Sequence, residues 1–367
     1  MDKVEIAVIG AGAAGLAAAL KLSSSGKEVL LLEKNESYGR ETSSRSSEVI
    51  HSGLYYPQNS LKASLCVRGN SLIYSYCRKK RIPFKNTGKI VAASGNSELE
   101  QLADLMRSGS KNGVKGLRLL STAELRSLEP DINSAGGLFV PSTGIMDSHS
   151  LMKSLYSEFR ASGGLAVFNC EVTGIQKSGK GGYEIKSSGD SYSFLAGKLI
   201  NCAGLGSERI ARAAGIDTVK ADYRLHFCKG DYYRIKKRFA VSRLIYPVPA
   251  PELHNLGVHL TTGLSGGLRL GPNAYYVDSI DYSFGTKDSS VFLSSAKTFL
   301  PGLEPGDLCP DTSGIRPKLQ GPGEAFRDFV IKDESDKGLP GLINLTGIES
   351  PGLTSCLAIA EYIEQIL

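Results

Sequence analysis

Residues 4–35, VEIAVIGAGAAGLAAALKLSSSGKEVLLLEKN, constrain the fold more than any other stretch of the chain. Residues 4–9 are a short apolar run of the kind found in strands buried on both faces. Gly10, Gly12 and Gly15 follow as GxGxxG, Ala13 and Ala14 lead into the helix formers LAAALKL, and KEVLLLEK reads as a second buried strand ending at Glu33. Each glycine has its own task. Gly10 permits the tight turn out of the strand, Gly12 lets the backbone approach a pyrophosphate, and Gly15 lets the helix lie close on the sheet. The helix N-terminus then presents N–H groups and the positive end of its dipole to the phosphates. Glu33, 18 residues past Gly15 and followed by Lys34, can accept hydrogen bonds from ribose hydroxyls. A 2′-phosphate would be repelled there, which disfavours NADP. Strand, glycine turn, helix, second strand and acid together specify a dinucleotide site; the motif does not choose between FAD and NAD.

The rest of the chain makes that choice. A nicotinamide-dependent dehydrogenase continues with regular βα units, whereas this chain turns irregular at Ser37 and enters GRETSSRSSEVIHSGLYYP, residues 39–57, hardly any of which could fill a core. Further on, KLINCAGLGSERIARAAGI reads as a strand running into Ala203, Gly204 and Gly206. Near the end, LPGLINLTGIESPGLTSCLAIAEYIEQI reads as a strand over 342–345, a loop over 347–352 and a helix from about Leu353. Gly347, Pro351, Gly352, Leu353 and Thr354 thereby belong to a second helix N-terminus near the ligand. Three separated segments ending at one ligand suit FAD, a long cofactor that threads through its domain. HSLMKSLYSEFRASGGLAVFNCEVTGI adds helix, glycine turn and strand, while KGDYYRI and NLGVHLTTG alternate as half-exposed antiparallel strands do.

The blocks GRETSSRSSEVIHSGLYYP, CVRGN, KGDYY, YPVP, GVHLT, RLGPNA, GIRPKL and SPGLTSCLAIA run through almost the whole chain. In this order they resemble the D-amino-acid oxidase and glycerol-3-phosphate dehydrogenase superfamily of flavoproteins and, within it, the L-2-hydroxyglutarate dehydrogenases. Ser46 and Ser52 stand where that pattern often has Asn and Ala, changes conservative in size. The resemblance implies an α/β (α+β overall) protein, with a Rossmann-like FAD-binding domain over 1–82, 145–220 and 312–367. A second, mainly antiparallel-sheet substrate domain is implied over 83–144 and 221–311. Val172 would present its backbone to the adenine, and Thr42 and Ser43 would approach FAD from the opening loop. The implied reaction oxidises L-2-hydroxyglutarate to 2-oxoglutarate, with hydride passing to the flavin and electrons to an acceptor other than NAD. A quinone acceptor would imply peripheral contact with a membrane surface; oxygen would make the protein an oxidase. An amino-acid oxidase or glycerol-3-phosphate dehydrogenase of the same fold, and a flavin-binding protein without dehydrogenase activity, are the competing readings.

Oxidation of an alcohol needs a base for the hydroxyl proton, and histidine has the intrinsic pKa for it, about 6.5. His51 follows the flavin-side loop and precedes Gly53 by two residues; His259, in GVHLT, is the rival base. His149 and His254 read as ordinary surface residues. The two substrate carboxylates need cations. Arg316 in GIRPKL can grip a carboxylate in two places and stands where similar flavoproteins use an arginine beside the flavin. Lys229 and Arg45 are secondary cations, Arg45 with the options of a phosphate contact or a pair with Glu48. Tyr55 and Tyr56 could donate to a carboxylate or wall the pocket, and Thr354 would lie beside the flavin ring and the substrate.

Composition excludes other classes. The net charge of +6 is spread along the 367 residues, and the densest run, Lys79, Lys80 and Arg81, reads as a solvated helix end rather than a nucleic-acid stripe. Seven cysteines without a CxxC pair read as reduced thiols of a cytosolic protein, and five histidines without HExxH or HxH predict no metal site. A strand that begins within four residues of Met1 leaves no room for a targeting segment ahead of it, and no run of 18 apolar residues could span a membrane. Nothing selects covalent flavin attachment through His51 or Cys66 over the non-covalent mode.

Overall fold

The computed structural model describes residues 3–179, 181–188, 193–249, 257–285 and 288–367, which fall into two compact units. The first comprises Met1–Ser44, Ser148–Phe227 and Arg316–Leu367, the second Arg45–Asp147 and Cys228–Ile315. The expected first segment, 1–82, is therefore shorter in the structure, and 45–82 belongs to the second unit. Asn70, Tyr74 and Asn112 tie it there. Asn70 Nδ2 donates to the carbonyls of His51 and Ser142, Tyr74 donates to Ser142 O, and Asn112 Nδ2 donates to the carbonyls of Gly53 and Tyr56. Val49–Ile50 also pairs with Gly144–Met146 in a small three-stranded sheet. The division of the chain thus falls inside the hydroxyl-rich stretch, between Ser44 and Arg45.

In the first unit an eight-stranded sheet is centred on Lys3–Ile9, which lies parallel to Val29–Leu32 on one side and Ser193–Asn201 on the other. Leu165–Val167 extends the sheet beyond Val29–Leu32, and Leu339–Thr346 pairs in parallel with Ser193–Asn201. The alternating helices and strands of the sequence dictate this, because parallel neighbours need crossovers and bury both faces. Ile6, Ala7, Val8, Leu31, Leu199, Ile200 and Ile343 are accordingly sealed from solvent. Helix Ala13–Ser24 packs against helix Ser148–Ala161 and helix Gly352–Ile366. The last starts one residue before the expected position. The register Ile9↔Leu32, Ile9↔Asn201 and Asn201↔Asn344 brings the C-terminal ends of four strands to one edge, where open parallel sheets bind ligands.

The second unit holds a nine-stranded sheet. Along it run Tyr275–Val277, His226–Ile235, Leu268–Gly271, His259–Thr262, Leu244–Pro247, Lys89–Ala93, Gly136–Val140 and Arg118–Ser121, with Leu308–Lys318 also on His226–Ile235. Its central pairings are antiparallel except for the parallel pair of Leu244–Pro247 with Lys89–Ala93. Period-two alternation separates its faces. Ile90, Ile245, Leu260, Leu270 and Tyr233 join Phe292, Ala296, Phe299 and Leu300 in one apolar core. The other face of the three central strands presents Lys89, Val91, Leu244, Tyr246, His259 and Thr261. Helix Leu61–Lys80 starts on a Ser60 cap, whose side chain accepts from Ala63 N at 3.1 Å, and ends at a left-handed Arg81 with Lys79 and Arg81 exposed. Among the described residues no helix is long and apolar enough to cross a membrane, and no cluster of three metal-ligating side chains occurs.

Candidate functional site

In the first unit the glycine turn leaves the sheet as its sequence requires. Gly10 has φ +101°, and a Cβ there would stand 2.5 Å from Cys202 O; a Cβ on Gly15 would stand 1.9 Å from Gly10 O. The strand end, the turn and the helix are thus in direct backbone contact. A cleft opens beside the turn, walled by Gly10, Glu33, Lys34, Val172, Ala203 and Gly206. Glu33 is buried. One carboxylate oxygen accepts the Ala11 N–H at 2.8 Å, and the other accepts the N–H and side-chain amide of Asn35 at 2.9 and 2.7 Å. The acid therefore holds the glycine turn in shape as well as facing the cleft. Lys34 pairs with Glu41 at 2.8 Å. Ser43, in the short helical turn Thr42–Ser44, accepts the Ala13 N–H at 3.0 Å; a Cβ on Gly12 would meet its hydroxyl at 3.0 Å.

Ala203 and the turn Gly204–Gly206 cap Ser193–Asn201, where Asn201 donates to Ser207 O and to Asn344 Oδ1 and accepts from Ala203 N. At the second helix N-terminus Pro351 precedes Gly352, and Thr354 is fully buried in the first turn. Its loop is held by Gly347, whose φ is +73° against Leu319, and by a buried pair of Lys318 with Glu349 at 3.3 Å. Arg316 lies partly buried on the strand Leu308–Lys318. A turn of small residues, a helix N-terminus, an acid on the cleft wall and a second helix N-terminus fit the phosphates and ribose of a dinucleotide. Replacing Glu33 with Gln puts an amide donor where an acceptor is needed. The loss of about 1.5–3 kcal/mol for a charged hydrogen bond should weaken FAD binding about ten- to hundredfold. Fluorescence titration of the apoprotein with FAD measures this, and a Kd within twofold of wild type would exclude the role.

In the second unit both candidate histidines lie with a group the sequence did not single out. Tyr246 and His259 face each other across neighbouring strands, with ring centroids 3.8 Å apart and planes 17° from parallel. His259 Nδ1 lies 2.9 Å from Gly257 O; a carbonyl only accepts, so Nδ1 carries a proton. The ammonium of Lys89 stands 4.2 Å from the Tyr55 ring centroid and 4.7 Å from that of Tyr246. His51 is partly buried on the loop after Val49–Ile50. Burial first, then the charges of Lys89 and His259, push it down to about 3, so it is neutral at working pH. Burial likewise lowers Lys89 to about 7 and drives the phenols of Tyr55 and Tyr246 and the Cys66 thiol up, leaving these three neutral.

Other expected residues stand elsewhere. Lys229 is buried 3.6 Å from Asp281, and strand alternation gives it the face of Asp231 and Tyr233, not that of Tyr232. Arg45 lies 3.9 Å over the Tyr282 ring and reaches Ser313 O at 3.5 Å. Tyr56 is partly buried, and its carbonyl is held by Asn112. His149 is exposed as expected; His254 lies outside the described residues. Lys89, Asn70 and Asn112 are the residues sequence reasoning missed. An asparagine inside a helix, as at Asn70, is a poor helix former and could have been noticed.

The first unit is that of a dinucleotide-binding flavoprotein, and the second adds a sheet face that carries Lys89, Tyr246 and His259. The chain belongs to the FAD dependent oxidoreductase family, whose sequence profile matches residues 5–366, and FAD is its cofactor. It is 38% identical to the mitochondrial L-2-hydroxyglutarate dehydrogenase of Arabidopsis thaliana over 99% of this chain and 83% of that one. It is 30% identical to the L-2-hydroxyglutarate dehydrogenase of Indibacter alkaliphilus over 97% and 96%. Among solved structures, the L-alpha-glycerophosphate oxidase of Mycoplasma pneumoniae with FAD bound superposes with a TM-score of 0.88 at 25% identity, covering 100% of this chain and 95% of that one. Glycine oxidase from Geobacillus kaustophilus shares the fold, with a TM-score of 0.81 at 17% identity over 100% and 95%.

Proposed function

We propose that the protein oxidises L-2-hydroxyglutarate to 2-oxoglutarate, on the strength of its 38% identity over 99% of the chain to a dehydrogenase named for that substrate. FAD, when bound, would supply the hydride acceptor for the carbinol carbon, and the electrons would go on to an acceptor other than NAD, a quinone or oxygen. The first unit carries FAD on Gly10, Gly12, Gly15, Glu33 and the helix N-terminus at Gly352. Val172, Ala203 and Gly206 wall the adenosine end. The histidine pair takes the hydroxyl proton. The buried His51, whose imidazolium is disfavoured, and His259, whose Nδ1 is held on Gly257 O, support this, since a base must be unprotonated to act. Arg316 grips a substrate carboxylate. Seven free thiols suit a reducing compartment such as the cytosol.

Anaerobic flavin reduction tests the reading. The oxidised holoenzyme is mixed in turn with L-2-hydroxyglutarate, glycerol 3-phosphate and a set of amino acids. Bleaching of the flavin by 2-hydroxyglutarate alone is expected. Bleaching only by an amino acid or by glycerol 3-phosphate would replace the proposed substrate, and no bleaching by any would favour a flavin-binding protein without dehydrogenase activity. Reoxidation by oxygen against a soluble quinone then assigns the acceptor.

A further inference from the structure

Lys89 opens the strand Lys89–Ala93 and is 1% exposed, yet no carboxylate among the described residues pairs with it. Its ammonium faces the rings of Tyr55 and Tyr246. The hydroxyls that end those two rings are buried and have no hydrogen-bond partner among the described residues. Buried polar groups are almost always paired, and a ring face is a weak substitute for an anion beside a desolvated ammonium. The three groups have one chemistry in common: each can donate, and the cation demands negative charge. A donor set around a cation fits a carboxylate and repels an ammonium. It also stands beside the reacting groups, because Tyr246 stacks on His259 and the Lys89 charge is felt at His51.

We propose that Lys89, with the hydroxyls of Tyr55 and Tyr246, receives the second carboxylate of the substrate, the one remote from the oxidised carbon, and thereby selects a dicarboxylic hydroxy acid over a monocarboxylic one. The inference rests on the reading of the protein as a 2-hydroxyglutarate dehydrogenase. Burial supports it from another side. Around Lys89 stand Tyr55, Cys66, Tyr246 and His51, of which the phenols and the thiol are driven up and the imidazole down, and His259 shares the same sheet face beyond Tyr246. Lys89, at about 7, changes charge near neutrality. The second carboxylate is therefore held most firmly below that pH, and its hold declines above it.

The test compares L-2-hydroxyglutarate with L-2-hydroxyvalerate, which carries a methyl group in place of the remote carboxylate. In Lys89→Met the preference for the dicarboxylate, as a ratio of kcat/KM values, should fall about thirtyfold or more, with the loss in KM. Tyr246→Phe and Tyr55→Phe, which keep the rings, should each lower the ratio about threefold to tenfold. Glutarate binding to the oxidised holoenzyme, followed by the flavin difference spectrum, should weaken in parallel. In wild type it should also weaken as pH rises past about 7, a dependence absent in Lys89→Met. An unchanged preference in a flavin-loaded Lys89→Met overturns the proposal. Should that variant fail to fold, an unchanged preference in both phenylalanine variants overturns it equally. A wild-type enzyme that does not oxidise 2-hydroxyglutarate sinks the functional reading instead.

Discussion

Replacing His51 and His259 together by asparagine is expected to slow anaerobic flavin reduction by L-2-hydroxyglutarate about 10²–10⁴-fold, with the FAD content unchanged. An alcohol gives up its hydroxyl proton reluctantly, so the group that takes it must carry a free lone pair at working pH. For His259 that condition falls on Nε2, because the bond to Gly257 O commits Nδ1 as donor. His51 meets it because burial and the charges of Lys89 and His259 disfavour its imidazolium. Stopped-flow flavin bleaching of both single variants and the double variant separates their shares. The single variant with the deeper loss identifies the residue that takes the proton, and the other then orients the substrate. A double variant within tenfold of wild type would remove the pair from the chemistry altogether.

The second large effect concerns the cofactor. Gly10→Ala is expected to yield protein with less than about a tenth of the wild-type flavin and a clearly lower melting temperature. The new methyl group would stand 2.5 Å from Cys202 O and 2.9 Å from Cys202 C, both backbone atoms just past the end of the strand Ser193–Asn201, with φ at +101°. Neither atom can swing aside as a side chain could, so strand and turn must part. Strained backbone and overpacking together cost about 2–5 kcal/mol. Gly26→Ala is the fitting control, since φ there is +81° but nothing lies within 4 Å of the added carbon. Absorbance of the purified proteins at the flavin band and thermal unfolding report both results. A fully yellow Gly10→Ala protein with wild-type melting would show that the turn is not pressed between strand and cofactor.

These two expectations differ in how far the sequence alone could support them. The glycine turn is a local device. Residues 4–35 contain the strand, the turn, the helix and the acid, each recognisable because what it needs lies within a few residues. The helix Ser148–Ala161 and the junction before Gly352 were legible for the same reason. The His51 loop was legible only in part: its composition marked it as unfit for a core, but not that Asn70 and Asn112 hold it to the second unit. Lys89 was not legible at all. In NTGKIVAA it looks like a cation at a strand's edge, and it became a site residue only when Leu244–Pro247 paired alongside in parallel. Lys229 shows the converse: a lysine beside the right motif whose strand phase gives it the face of Asp231 and Tyr233.

By itself the sequence determined the dinucleotide fold, because short-range backbone geometry is written within single segments, and the order of its motifs along the chain pointed to the flavin. The tertiary structure alone decided which side chains share a face. Sheet register joins residues 150 or more positions apart, as Tyr246 and Lys89 are, and a shift of one residue would turn each of them to the opposite side.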